Sequence, residues 1–343
     1  MSMMQMFLGV GGAADVQIAD VFHQNAYEAP GSTLTVSDGV DNLNKGGLLW
    51  VKRRTGGGSA AHWLTSTEHT ATSSTSDDYL STNSNNTLQD GGANGTITWT
   101  STGYQIPDGA TELSSGGNNY IAWNFRKGKG FFDMVTWDGN GTSGRTISHN
   151  LGSVPGFIMV KSYDTGGSGS GWMCYHRSMG NTKAIRLDNN ATVNTSSDWW
   201  NNTSPTATQF TLGNHEDVNG TWATYGRKYV AFIFGHTDGL IHCGGYDGTA
   251  GDLDVNCGFS NGAAWVMGKE INSSNGWMIF DSERGISTGD DSMLFANTEA
   301  NQTSEDYIQP LDAGFTAMDD KNFNKDDNGN EEYIFVAIAK PTS

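Results

Sequence analysis

Leu48-Leu49-Trp50-Val51-Lys52, Phe157-Ile158-Met159-Val160-Lys161 and Ala264-Trp265-Val266-Met267 state one apolar phrase three times in a chain of 343 residues. A second phrase follows each: Tyr120-Ile121-Ala122-Trp123, Tyr229-Val230-Ala231-Phe232 and Tyr333-Ile334-Phe335-Val336. Val51 precedes Tyr120 by 69 residues, Val160 precedes Tyr229 by 69, and Val266 precedes Tyr333 by 67. Matched order and spacing mark a unit present in three copies, each roughly a hundred residues long, the size of one small β-sandwich.

Lesser landmarks keep step. Trp63, Trp172 and Trp277 lie 12, 12 and 11 residues past the three valines. Leu80/Asn83, Leu187/Asn190 and Leu294/Asn297 repeat a Leu-x-x-Asn, and Tyr104, Phe210 and Phe315 open short strand-like phrases. Upstream, Tyr27, Trp137 and Tyr246 lead through turn-rich stretches to Val36, Ile147 and Val255. The units so defined run 24–126, 134–236 and 240–340, and residues 1–23, rich in Met, Gly and Ala, form an N-terminal docking arm whose apolar tip is Met6, Phe7 and Leu8. The joints 127–132 and 236–239 are too short for free swinging and predict a compact head-to-tail stack.

The landmark phrases are four to seven residues long, rich in Val, Ile, Phe, Trp and Tyr, and bounded by Gly, Asn, Asp and Ser. That pattern predicts strands, and continuous runs such as 229–234 predict central strands buried on both faces. No stretch of helical length combines a 3.6-residue period with strong helix formers. The fold class is therefore all-β, with two-sheet sandwiches, and the recurring tryptophan of each third strand is expected between the sheets.

Nineteen Lys+Arg against 37 Asp+Glu give a net charge of −18, which argues against a phosphate-tracking nucleic-acid binder. Apolar runs end near seven residues, far below the ~20 of a membrane helix, and no basic segment precedes the apolar start as in a secretory leader. Three cysteines make no disulfide framework.

The middle unit carries a family resemblance. The run Asp138-Gly139-Asn140-Gly141-Thr142-Ser143-Gly144-Arg145-Thr146-Ile147-Ser148-His149-Asn150-Leu151-Gly152-Ser153-Val154-Pro155-Gly156-Phe157-Ile158-Met159-Val160-Lys161 resembles a repeat module of virion proteins of marine tailed bacteriophages, including phages of cyanobacteria. So do Trp172 through Tyr175-His176-Arg177-Ser178 and Trp200-Asn201-Asn202-Thr203-Ser204-Pro205-Thr206 leading to Phe210-Thr211-Leu212-Gly213. The other units keep the skeleton, although the third lacks the His-Asn-Leu-Gly and Tyr-His-Arg-Ser phrases. The resemblance implies concanavalin-like, jelly-roll sandwiches and a virion component, tail-fibre proteins among them. It supplies no catalytic residue.

Few residues point to chemistry. The eight histidines show no metal-ligand spacing, and His149 and His176 read as loop-orienting hydrogen bonders. Asn324, Asp326 and Asn328 alternate oxygen side chains as a calcium loop does, but position 12 falls on Phe335 instead of a bidentate Glu. They stand as a candidate mixed-ligand calcium site against a solvated hairpin loop. Cys243 and Cys257 flank a glycine-rich segment read as a hairpin across which they could face each other, as a cross-strand disulfide or as reduced, small core residues. No nucleophile elbow appears and no pair of carboxylates stands out, so no enzyme is expected. Trp199-Trp200 beside Asn201-Asn202 is the candidate contact for a glycan or a neighbouring subunit, with one ring outward and one inward as strand alternation requires.

The expectation is a non-enzymatic structural protein of a marine phage virion, assembled in the host cytoplasm and tail-associated. It is expected to bind other virion proteins as a homo-oligomer, a trimer, with no nucleic-acid partner and no insertion into a membrane. A capsid decoration protein and a lectin-like binder of host surface polysaccharide are the alternatives.

Overall fold

Val, Ile and aromatic residues in short runs cut by glycine leave strands as the only regular structure these segments can build. The computed structural model describes residues 16–69, 78–91, 97–110, 112–163, 170–221, 227–326 and 329–342. It is all-β, every strand pair is antiparallel, and the described helices are single turns: Ile18–Val21, Asn42–Lys45 and Ser197–Trp200.

One strand order occurs three times. In the first unit, Phe22–Glu28, Asn119–Arg126, Gly47–Thr55 and Trp63–Ser66 lie side by side in one sheet. Phe132–Asp138, Lys228–Phe234, Phe157–Ser162 and Met173–His176 repeat the order in the second unit. Ile241–Asp247, Glu332–Ala339, Ala263–Glu270 and Met278–Asp281 repeat it in the third. A smaller sheet covers each: Val36 pairs with Tyr104, Ile147 with Phe210 and Val255 with Phe315. The opening aromatic stacks across its strand pair every time, as Tyr27 on Tyr120, Trp137 on Tyr229 and Tyr246 on Tyr333, with interplanar angles of 13°, 13° and 15°.

Both faces of the large sheets are buried, which explains the unbroken apolar runs. Tyr229, Ala231 and Ile233 face the second unit's own small sheet, whereas Val230, Phe232 and Phe234 enter a core shared by all three units. Leu49 and Val51 against Leu48 and Trp50 divide the same way in the first unit. Each unit is thus a sandwich whose outer face also packs on its neighbours. In the shared core, Trp50 and Trp123 meet Trp265 edge-on at 6.5 and 6.4 Å, and Phe125 meets Phe234 at 5.7 Å.

Four expectations need correction. The units close into a ring rather than a head-to-tail stack, because the first contacts the third, through Trp50 and Trp123 on Trp265, as well as the second, through Phe125 on Phe234. The arm does not extend to residue 23: Ile18, Val21 and Phe22 are buried in the shared core, and Phe22 opens the first sheet. In the third unit the repeat is displaced by two residues. Lys52, Lys161 and Lys269 pair with Ile121, Val230 and Ile334, so Gly268, not Val266, stands where Val51 and Val160 do. A Cβ at Gly268 would lie 2.7 Å from the Phe323 ring, so no valine fits. Finally, Trp63 is not the counterpart of Trp172 and Trp277. Val51 pairs with Trp63, Val160 with Met173 and Gly268 with Met278, which makes His62 their counterpart.

Candidate functional site

The three residues preceding the fourth strand of each large sheet tie the ring together. Trp172 Nε1 donates to the Ser81 carbonyl at 2.8 Å, Trp277 Nε1 donates to the Arg186 carbonyl at 2.8 Å, and His62 Nε2 lies 2.9 Å from the Phe295 carbonyl. Ser81, Arg186 and Phe295 are themselves equivalent, each one past the residue (Leu80, Ile185, Leu294) that pairs into the fourth strand. Second links run alongside: Lys161 Nζ reaches the Asn85 carbonyl and Lys52 Nζ the Glu299 carbonyl, both at 3.0 Å. Lys269 instead serves its own loop at Ser273 and Asn275.

The candidate glycan residues lie in a helical turn, so strand alternation does not govern them. Trp199 and Trp200 are both buried, and Trp200 Nε1 donates to the Lys183 carbonyl. Asn201 and Asn202 take φ of 50° and 48°, the left-handed geometry that ends the turn, and Asn201 Oδ1 accepts from Ser143 Oγ. The expected outward ring is therefore absent. Trp199 nonetheless walls a cavity of ≈190 Å³ with Met173, Ala184, Arg186, Ala191, Thr192, Asn194 and His215.

Within that wall Arg186 Nη2 is 2.7 Å from Asp217 Oδ2, and Nη1 is 3.8 Å from Asp188 Oδ2. The Trp199 ring lies 3.8 Å from the His215 ring, and its N–H is buried without a partner. His215 Nδ1 accepts from the Asp217 amide. Burial lowers the His215 pKa against the pull of Asp217, and burial raises that of Asp188 against Arg186. Sequence reasoning found Trp199 but missed Ala184, Arg186, His215 and Asp217. With the units in register, Ala184 stands where Tyr79 and Met293 stand, and that contrast was the available signal.

The candidate calcium residues separate. Asn324 is fully buried: its Nδ2 donates to the Gly251 and Ala317 carbonyls, and its Oδ1 accepts from the Thr249 amide. Asn219 clamps the second unit's loops in the same way, donating to Thr142 and Gly213. Asp326 accepts from the Gly329 amide, and Asn328 lies outside the described residues, as do Met6, Phe7 and Leu8. Among the described residues no group of three His, Cys, Asp or Glu is placed to hold a metal. His149 Nδ1 accepts from the Leu151 amide and His176 Nδ1 from the Ser178 amide, so both orient loops. Cys243 and Cys257 do not face each other across a hairpin, because Cys243 lies in the strand paired with Glu332–Ala339, whereas Cys257 follows Leu253–Asn256, which pairs with Gly314–Ala317 in a different sheet. Burial pushes both thiols up, Cys257 to about 12.

Fold and joints together define an all-β protein made of three β-sandwich units closed on a shared core. The chain belongs to the family described as a domain of unknown function, DUF7483, whose model matches residues 18–341. Comparison with curated proteins finds no match. Among the described residues no helix is long and apolar enough to cross a membrane.

Proposed function

We propose that the protein is a non-enzymatic structural component of the virion of a tailed phage of marine bacteria, carried on the tail. The observation behind this reading is the cyclic set of joints at His62, Trp172 and Trp277. It ties each unit to both of the others, which suits a rigid part of a particle. The sequence resemblance of the middle unit supplies the particle, and the charge of −18 suits solubility while discouraging adhesion to anionic surfaces. The chain would assemble in the host cytoplasm in several copies, with its first fifteen residues contacting other virion proteins.

The test is immunogold labelling of intact phage with antibody against the purified chain, alongside a deletion of residues 1–15. Gold on the tail and loss of the chain from deletion-mutant particles support the reading. Gold on the head surface moves it to the decoration role, and unlabelled particles lacking the chain end it.

A further inference from the structure

The cavity at Trp199 exists because one position in three differs. In the first unit Tyr79 lies flat on Trp63, with centroids 3.7 Å apart and an interplanar angle of 12°. In the third unit the corresponding pair is Met293 and Met278, both buried in the hydrophobic core. In the second it is Ala184 and Met173, and the short alanine leaves the ≈190 Å³ space open beneath Arg186, Thr192, Asn194 and His215. The rim is open to solvent: Thr192 and Asn194 are exposed, and Arg186 and His215 keep 33% and 31% of their side-chain surface. The Arg186 side chain is also fixed from behind, since a Cβ at Gly171 would sit 1.5 Å from Nη1, so only glycine permits that approach.

The walls divide by chemistry. Met173, Ala184 and Trp199 give an apolar floor. Thr192, Asn194, His215 and the Arg186–Asp217 pair give a polar rim with donors and acceptors side by side. The arginine is matched by Asp217 and Asp188, and His215 Nδ1 is occupied as an acceptor, so the site carries no surplus positive charge for an anion. Trp199 contributes the large aromatic face of that floor. An apolar face ringed by hydroxyls, small enough for a space below the about 300 Å³ at which drug-sized pockets begin, describes one sugar ring. We propose that the Ala184 cavity of the second unit binds a single neutral pyranose. This goes beyond the particle role and does not depend on it.

The test titrates the purified full chain with the methyl glycosides of glucose, galactose and mannose, with N-acetylglucosamine, and with glucuronate as the anionic probe. Binding is followed by tryptophan fluorescence and protein-observed NMR. At least one neutral sugar should bind at one site per chain. Ala184→Met, which installs the third unit's residue, should weaken it at least about tenfold, because the longer side chain fills the space the sugar would occupy. Trp199→Phe shrinks the aromatic wall on which the sugar face would rest and should weaken it severalfold. Thr192→Tyr, on the exposed rim, blocks entry without touching the core and serves should either buried variant misfold. No binding by any neutral sugar, binding unchanged in Ala184→Met and Thr192→Tyr, or glucuronate bound more tightly than its neutral counterparts would overturn the proposal.

Discussion

Trp172 donates its indole N–H to the carbonyl of Ser81, 91 residues earlier and in the preceding unit. Trp277 does the same to Arg186, again 91 residues back, and His62 closes the circuit onto Phe295 in the last unit. A set of joints that returns to its start makes each unit a neighbour of both others. Stability is therefore a property of the ring and not of single sandwiches.

Trp172→Phe keeps an aromatic side chain and removes the donor. The Ser81 carbonyl is left unpaired inside the joint, so the variant should lose about 1–3 kcal/mol. Urea unfolding followed by tryptophan fluorescence measures this. Because the joints couple the units, the transition should stay single, with a lower midpoint and an unchanged slope. Two separated transitions in the wild-type chain would show that the units unfold independently.

The buried histidines should make the fold acid-sensitive. His62 Nδ1 accepts from Trp50 Nε1 at 2.9 Å, so its proton is on Nε2, facing Phe295. Burial, with the nearby Lys52 charge, pushes its pKa down to about 3, and burial takes His69 and His176 to about 4. A histidine lowered in the fold is neutral there while the unfolded chain protonates near 6.5. Its stabilising effect is complete above that pH and is lost progressively as pH falls toward 3–4. Asp291, raised to about 6 by burial, works in the opposite direction, so single variants are needed to separate the two. His176→Gln should be less stable than wild type at pH 8 but lose less between pH 6.5 and 4, as read from denaturation midpoints across that range.

The repeat, the strands and the two-sided burial were legible because they are written in residue type and spacing. Tyr120, Tyr229 and Tyr333 needed no coordinates. Register in the third unit was not legible, since Trp265-Val266 imitates Trp50-Val51 while backbone pairing aligns Gly268 with Val51. The glycine at that place fits the ring of Phe323, a residue 55 positions away that only tertiary packing brings to Gly268. The alternation assumed for Trp199 and Trp200 failed for a local reason: Ser196 accepts from the Asp198 amide and caps a helical turn there. Asn324 was visible as an oxygen-bearing loop residue, but its role as a buried clamp depends on Thr249 and Gly251, which lie more than seventy residues earlier in the chain.

Asp281 and Arg284 form an ion pair of 2.6 Å with both side chains fully buried, and Trp123 of the first unit donates to the same carboxylate oxygen at 3.0 Å. Removing one partner strands a buried charge. Asp281→Asn should cost about 3–5 kcal/mol, whereas Asp281→Leu combined with Arg284→Met should cost markedly less because no charge is left behind. Thermal and urea unfolding of the two variants decide it. Equal losses would mean that the carboxylate matters chiefly for Trp123.

The ring also predicts where the chain can be cut. Val16 to Ala19, the turn residues Lys129 and Asp238, and Lys340 to Thr342 all line one cavity of ≈440 Å³. The described ends of the chain thus sit beside both inter-unit turns. Joining 342 to 16 through a short glycine-serine linker and opening the chain between Asp238 and Gly239 changes connectivity at surface positions while leaving every strand pair in place. Such a permutant should keep the wild-type circular dichroism spectrum and unfold in one step within a few degrees of it. Opening between Met159 and Val160 cuts a central strand that pairs on both sides, so that permutant should not fold. If the first permutant collapses while retaining its sheets locally, the order in which the units are linked, and not only their mutual contacts, maintains the ring.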